Sequence, residues 1–502
     1  MNSSKSAGQT SPFLTYGLWI LLSVALVMRL VYLAPGLLGG DSIGYAIGGL
    51  GTWIAHPPGF FGYCFLGWLV NQAVGNINHS MLIINVVCCL VGIFCCHRLA
   101  KSVGLSDLHA LIATAAYGFS IDNMYFSDIA LSYAPEGMFA TALGLCVHRA
   151  IKLKKLSWAL AATLIWAVSG ALRQTSSSFL FPLWVLMLWR GKQLRFIHWH
   201  LLVAVPIVAG WTHANTHYLN AAAGNPPGGG AAHGFWALQV MMPSNHDPTK
   251  LGLDEDVKEE ATSQYHWPFI EILTLVDEKL GTHVLPPYQS FGAPPPSLAH
   301  AANLTGMQAL KLSFYTLFAL PSLLVAVGSL LLRKKPAGTR FLSFEDWLFF
   351  AAWILPSGLF FLIGHFGSFG YLLIYLSGLA VLSVALTFPR FEKEDEKKTN
   401  ISQDRSRIMF HGAAILGSIL FFIMARPFDT ADTRQKLADV LILQYSGPSI
   451  KKSFASARSL SNPPGRIQLP VWAHYRSDAE IVRWWQQQFP DSKAVFRPHT
   501  VK

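Results

Sequence analysis

A single carboxylate, Asp41, lies in a segment from Gly40 to Gly59 that contains no lysine or arginine. The segment follows the first apolar run of the chain and closes on His56, Pro57, Pro58 and Gly59. A loop without positive charge beside a membrane helix faces away from the cytoplasm. A lone carboxylate at such a boundary is a candidate for chemistry at the outer face of a membrane.

Acidic residues are scarce before position 247, where the chain has only five: Asp41, Asp107, Asp122, Asp128 and Glu136. Asp107 stands just before an apolar run and is predicted to begin a helix. The other four map to the outer face, where carboxylates from two loops could act as a base or hold a hard cation. Capping and solvation of outer loops would explain any one of them equally well. Glu136 departs from that explanation, because it opens an apolar run and an intramembrane carboxylate is costly unless it is used or paired.

Apolar helices must position these residues. Hydrophobic residues make up 52% of the 502 and charged residues 13%, which excludes an ordinary soluble domain. About eleven apolar runs predict an all-α polytopic membrane protein. The runs are 13–35, 80–97, 108–121, 133–148, 156–172, 178–190, 197–218, 309–332, 345–364, 370–388 and 408–425. The run 57–70 is too short to cross a bilayer and is predicted to be an interfacial or re-entrant helix.

Lysine and arginine fall in alternate loops, which marks those loops as cytoplasmic. The net charge of +11 therefore reflects membrane orientation, and no nucleic acid partner is expected. Residues 1–12 are predicted to be cytoplasmic, and the first run is interpreted as a signal anchor. The predicted outer segments are 36–79, 122–132, 219–308, 365–369 and 426–502.

The predicted domains follow from this topology. Residues 13–218 form a catalytic transmembrane module, and 309–425 form the C-terminal membrane helices. Between them, 219–308 is rich in proline and glycine and is predicted to be an outer lid. The tail 426–502 could form a small extracytoplasmic domain. The six cysteines lie in or near apolar runs and are interpreted as core residues rather than disulfides or zinc ligands.

An Asp after the first run, a His-Pro-Pro-Gly segment in the same loop and a second acid after the third run together resemble the GT-C superfamily of polyprenyl-phosphate-sugar glycosyltransferases. The chain is similar to its protein O-mannosyltransferase-like and aminoarabinose-transferase-like branches. The resemblance covers the topology of residues 13–390, but its motifs only about the first 180 residues and a short echo near His365. It implies inverting transfer of a sugar from a polyprenyl-phosphate donor to a glycan, lipid or protein acceptor, among membrane lipids.

Inverting transfer needs a base to take the acceptor proton, and Asp41, which matches the first-loop acid of the family, is predicted to be that base. Glu136 and Asp128 are predicted as further catalytic residues. The leaving polyprenyl phosphate needs positive charge, for which Arg173 is the leading candidate, although snorkelling to outer head groups would also explain this arginine. The remaining predicted substrate-binding residues are His56, Tyr45 and His365.

Metal use is left open by the sequence. Many GT-C members use a divalent cation such as Mg²⁺ or Mn²⁺, while others do not. Here Asp41 is followed by Ser42 rather than by a second acid, which departs from the family pattern. Asp128 and Glu136 are the candidate metal ligands, and either could instead orient the acceptor.

Two other classes of function fit a polytopic chain that is basic inside. A transporter or lipid flippase tends to carry ionisable residues at mid-membrane depth, whereas this chain places its acids near one face and adds a large outer segment. A non-catalytic cell-envelope scaffold would tolerate replacement of Asp41 and Glu136. The outer face would be the periplasmic side of a bacterial inner membrane, or the lumen of the endoplasmic reticulum in a eukaryote.

Overall fold

The structure, a computed structural model, describes residues 12–34, 60–222, 342–364, 372–388 and 401–425, with short pieces at 42, 45–46, 48–49, 339–340, 390–391, 444–446 and 497–499. The described part of the chain is mostly helical. In the described residues the helices are α1 (Pro12–Tyr32), α2 (Phe61–Val74), α3 (Ile77–Val103), α4 (Asp107–Gly118), α5 (Ile121–Ser127), α6 (Tyr133–Leu153), α7 (Leu156–Leu172), α8 (Gln174–Arg190), α9 (Ile197–Ala222), α10 (Phe344–Gly364), α11 (Leu373–Thr387) and α12 (Ile401–Ala425).

Four short strands complete the described elements. Strands β1 (Thr339–Arg340) and β2 (Arg390–Phe391) pair antiparallel, and β3 (Gln444–Ser446) and β4 (Arg497–His499) pair parallel. Both β3 and β4 belong to the tail 426–502. The rest of that tail lies outside the described residues, as does the predicted lid 219–308 beyond position 222.

Ten of the eleven predicted apolar runs coincide with described helices, and the eleventh, 309–332, lies outside the described residues. The run 57–70 corresponds to α2. Asp107 begins α4 as predicted, after Ser106 accepts a hydrogen bond from the backbone N–H of His109. The outer loop predicted at 122–132 is partly helical instead, because Ser120 caps the short helix α5 in the same way.

Two stretches of the described chain are long and apolar enough to cross a membrane by length and composition, Ile77–Val103 and Leu194–Asn215. Helix α1 shows the surface such a protein needs. Trp19 and Val31 are 63% and 66% exposed, whereas Arg29 on the same helix is 1% exposed. Apolar side chains outside and a charged one inside are costly in water and favourable against lipid. This distribution indicates a membrane protein.

Helix α6 lies at the centre of the bundle, packed between α3 and α7 and covered by α11. Trp353 of α10 is fully buried beside Gly144 of α6, at a position where a Cβ would collide with the indole ring. The indole N–H donates to the carbonyl of Ile374 at 2.8 Å. A helix held in this way can present side chains rigidly at both ends, with Glu136 in its first turn and His148 roughly 18 Å further along its axis.

Candidate functional site

Glu136 lies in the first turn of α6 and is completely buried. Pro135 precedes it, which suits a helix start because that position needs no intrahelical N–H donor. One carboxylate oxygen, Oε1, accepts a hydrogen bond from the hydroxyl of Ser176. The other, Oε2, lies 3.6 Å from Nη1 of Arg173. The structure therefore brings together two residues that the sequence singled out separately.

Arg173 lies between α7 and α8 with an extended backbone, at φ −155° and ψ 119°, so that it separates two apolar helices. Its guanidinium carbon is 4.4 Å from the ring centroid of Tyr133 and 5.7 Å from that of Phe60. The residue is only 7% exposed, unlike a snorkelling arginine, whose head group reaches water. Two aromatic faces and a carboxylate hold the guanidinium in one orientation.

The N-terminus of α8 follows Arg173 directly and adds its own positive field. Thr175, in the first turn, is buried, and its hydroxyl makes no hydrogen bond in the part of the chain that the structure describes. Backbone N–H groups at a helix start, a hydroxyl and a guanidinium are the donors that bind phosphate oxygens in proteins. This corner of the bundle is therefore suited to an anion.

Asp128 and Arg29 are both buried and are linked through Ser127 at the same end of the bundle. Arg29 donates from Nε to the Ser127 hydroxyl at 3.1 Å and from Nη2 to the Gly118 carbonyl at 2.6 Å. The Ser127 hydroxyl in turn lies 3.4 Å from Oδ1 of Asp128. Burial raises the pKa of Asp128 well above its ordinary value, and the charge of Arg29 opposes that rise. No pattern in the sequence predicts that Arg29 and Asp128 lie close together.

The two acids predicted as metal ligands each face an arginine: Glu136 faces Arg173, and Asp128 faces Arg29. A divalent cation would have to compete with both guanidinium groups. Within the described ranges, no group of three or more His, Cys, Asp or Glu side chains could hold a metal ion. The described residues therefore do not fit a divalent cation, and ligation by Asp128 and Glu136 stays a prediction.

Tyr45 connects the first predicted outer loop to this site. Its ring packs edge-on against Phe60 and Tyr63, with centroid separations of 5.0 and 5.2 Å. Its hydroxyl accepts a hydrogen bond from Ser132 at 3.4 Å, directly before α6 begins. Tyr45 and Phe60 therefore lie at the corner that holds Glu136 and Arg173. The other predicted site residues, Asp41, His56 and His365, lie outside the described residues.

Asp122, in α5, is the remaining buried acid at this end of the bundle. Burial raises the pKa of Asp122 to about 7, and its own backbone hydrogen bond opposes the rise. Tyr375 of α11 lies close enough to feel its charge. Asp122 is therefore a carboxyl group that changes charge near neutral pH in a segment outside the predicted spans.

Comparisons with known proteins return solved structures only: no family model and no curated protein matches this chain. An oligosaccharyltransferase, AglB from Archaeoglobus fulgidus in complex with an inhibitory peptide and a dolichol-phosphate, is 12% identical over 92% of this chain, with a TM-score of 0.44. The chain spans about 61% of the length of that protein. The same oligosaccharyltransferase in complex with Zn and sulfate gives 13% identity over 90% of this chain and 58% of its own length, with a TM-score of 0.43.

ArnT from Cupriavidus metallidurans bound to undecaprenyl phosphate is 13% identical over 96% of this chain and 89% of its own length, with a TM-score of 0.36. The first of these proteins is seen with a dolichol-phosphate and ArnT with undecaprenyl phosphate. Because likeness at this level does not assign an activity, the function of this chain has to be inferred from its own residues.

Proposed function

We propose that the chain is an integral membrane glycosyltransferase, which moves a sugar from a polyprenyl-phosphate donor to an acceptor at the extracytoplasmic face. The observation that carries the proposal is the buried pair of Glu136 and Arg173 beneath Tyr45 and Phe60 of the first outer loop. A buried arginine beside a helix N-terminus suits a phosphate, and a loop rich in polar and aromatic groups beside it suits a sugar.

Asp41 and His56 are each four residues from a described residue of this corner, Tyr45 and Phe60 respectively. Four extended residues span at most about 14 Å. The covalent chain therefore limits how far Asp41 can lie from Tyr45 and how far His56 can lie from Phe60. This connection supports Asp41 as the base and His56 as a substrate contact.

In the proposed reaction, Asp41 takes the proton of an acceptor hydroxyl while the acceptor oxygen attacks the anomeric carbon of the sugar. The bond from that carbon to the phosphate oxygen breaks, and polyprenyl phosphate leaves with the electron pair. Attack from the face opposite the phosphate inverts the anomeric centre. Arg173 stabilises the charge that grows on the leaving phosphate, and Glu136 keeps the guanidinium in place.

The experiment is a donor assay on purified protein. Wild type, Asp41→Asn and Arg173→Lys are mixed with a panel of radiolabelled polyprenyl-phosphate sugars, and release of free polyprenyl phosphate is measured with and without EDTA. Loss of the base, or replacement of the planar guanidinium of Arg173 by the mobile ammonium group of lysine, is expected to lower turnover by about 10²- to 10³-fold. EDTA reports directly on the metal that the sequence leaves open.

The matched control is Arg190→Lys, which changes an arginine that pairs with Glu345 at 3.1 Å near the other ends of the helices. Its turnover should equal that of wild type. If wild type releases no polyprenyl phosphate from any donor but carries one across a vesicle membrane, the chain is a transporter or flippase. If it does neither, and cells tolerate Asp41→Asn and Glu136→Gln, it is a scaffold of the cell envelope.

A further inference from the structure

Asn85 is a fully buried amide in the middle of α3, a helix that is otherwise apolar at this depth. Its Nδ2 donates to two backbone carbonyls, those of Ile129 at 2.5 Å and Leu131 at 2.8 Å. Its Oδ1 accepts a hydrogen bond from the hydroxyl of Tyr63 at 3.1 Å. The Asn85 side chain therefore donates two hydrogen bonds to the turn 129–131 and accepts one from α2.

The turn that Asn85 holds leads directly into the candidate site. Leu131 is followed by Ser132, whose carbonyl accepts the backbone N–H of Glu136 at 3.1 Å. Tyr133 comes next, and its ring lies against Arg173. Whatever sets the position of residues 129–131 also sets the height and rotation of the first turn of α6.

The same amide also reaches the first outer loop. Tyr63, held by Asn85, packs edge-on against Tyr45. The Tyr45 hydroxyl receives the hydrogen bond from Ser132. Tyr45, the turn 129–132 and the start of α2 therefore meet through Asn85.

We infer that Asn85 is a positioning residue, whose amide places the first turn of α6 so that Tyr133 and Glu136 meet Arg173. Its effect on turnover rests on the proposed function, whereas its effect on the turn does not.

The physical reason is the absence of water at this depth. Two carbonyls that lose their donor in apolar surroundings are left unsatisfied, and the turn must move to find other partners. Displacement of a reacting or charge-stabilising group by as little as 1 Å can cost about 100-fold in rate. Asn85 is therefore needed for geometry and not for chemistry.

The test compares Asn85→Ala, Asn85→Asp and a matched control, Asn78→Ala. Aspartate keeps the shape of Asn85 but has one O–H donor when protonated and none when ionised, so it cannot satisfy both carbonyls. Asn78 lies on the same helix and is also buried, and its Oδ1 has no hydrogen-bond partner among the described residues. The two changes at position 85 should act alike, and the change at position 78 should have little effect.

The first readout needs no activity. Hydrogen exchange of detergent-solubilised protein, followed by mass spectrometry of peptides that cover 128–135, should accelerate at least about 10-fold in both Asn85 variants. Peptides from the far end of the bundle, around 101–107, should exchange as in wild type. Unchanged exchange at 128–135, or equal acceleration at both ends, overturns the inference.

The second readout is steady-state turnover with the best donor from the panel. A positioning role lowers kcat by about 10- to 100-fold and leaves KM for the donor within about 3-fold. A kcat unchanged per folded molecule would overturn the inference even if the variants were less stable. Faster exchange at 128–135 in a protein whose wild type turns over no donor would refute the proposed function and leave the placement of the turn by Asn85 standing.

Discussion

Helix α6 carries a buried acid contact at each end, and the two contacts are built differently. Near its last turns, His148 Nε2 and Lys152 Nζ lie 3.1 and 3.2 Å from Oδ1 of Asp346. The other oxygen of Asp346 accepts the backbone N–H of Ser343 at 3.1 Å and its hydroxyl at 2.8 Å. Both oxygens are therefore fully engaged.

At the other end, within the described ranges, Glu136 accepts one hydrogen bond, from Ser176, and its second oxygen has the 3.6 Å contact with Arg173. Both acids are buried, so burial alone does not distinguish them. They differ in whether both carboxylate oxygens are fully hydrogen-bonded, that is, saturated. A saturated buried carboxylate connects helices, whereas a carboxylate with an incompletely bonded oxygen can take a further partner.

The saturated contact also contains a serine, a histidine and an aspartate in hydrogen-bonding order. The Ser102 hydroxyl lies 2.7 Å from Nδ1 of His148. Ser102 is in the last turn of α3, where the helix dipole is negative and disfavours an oxyanion. The nearby N–H groups of Gly104 and Leu105 already bond to carbonyls of that turn. We therefore interpret this chain of hydrogen bonds as a connection between α3, α6 and α10.

The two largest expected effects fall on different quantities: replacement of Glu136 lowers turnover, and replacement of Asp346 lowers stability. Glu136→Gln removes the charge that holds Arg173, so we expect turnover to fall about 100-fold. Asp346→Asn breaks a saturated buried contact, so we expect a loss of about 3–5 kcal/mol in stability. The measurements are donor turnover per folded molecule and thermal unfolding in detergent.

The distinction between the two acids is wrong if Glu136→Gln lowers stability alone and Asp346→Asn lowers turnover alone. A Glu136→Gln protein that turned over donor normally would make Glu136 another structural acid. An Asp346→Asn protein of normal stability and low turnover would place chemistry at the far end of the bundle.

A second prediction concerns pH and Asp122, the third buried acid at the site end. Its pKa in the folded protein is raised to about 7, so the folded state retains a proton that the unfolded state has already released at pH 5. Stability should therefore fall as the pH rises from 5 to 7, by about 2 kcal/mol, and level off above that. Asp122→Asn should remove this slope when unfolding is measured across the same range.

The expected slope belongs to Asp122 only if the asparagine variant loses it. Lys101→Ala, far from Asp122, serves as the control and should retain it. A slope of the opposite sign in wild type would mean that carboxylates ionised in the folded state dominate the titration.

The helices could be read from the sequence because their apolar runs are bounded by charge. Residues 156–172 were predicted and observed with the same limits, between Lys155 and Arg173. Helix α5 was missed because seven residues are too few to show a helical period. Its N-cap residue, Ser120, was the feature of the sequence that could have indicated a helix start.

The sequence predicted some residues of the candidate site but not the contacts between them. Glu136 and Arg173 stood out as charged residues at the edges of apolar runs, yet their contact spans 37 positions and depends on how α6, α7 and α8 pack. Asn85 could not be found, because its donors reach backbone carbonyls, and these carry no mark in the sequence. Arg29 was not among the predicted site residues.

The smallest expected effect belongs to an exposed pair at the saturated end. Lys101 Nζ lies 2.7 Å from Oδ1 of Asp107, which is the shortest ion pair among the described residues. The two side chains are 34% and 46% exposed. Solvent screens such a pair, and holding it in one geometry costs side-chain entropy. Lys101→Ala should therefore lower the free energy of unfolding by less than about 1 kcal/mol, and added salt should reduce the difference further. Unfolding in detergent at low and high ionic strength measures both. The pair with the short separation would then have the small effect, and the longer contact between Glu136 and Arg173 would have the large one. Burial and function, rather than separation, would decide what a charge pair contributes. A loss comparable to that of Asp346→Asn would overturn this ranking.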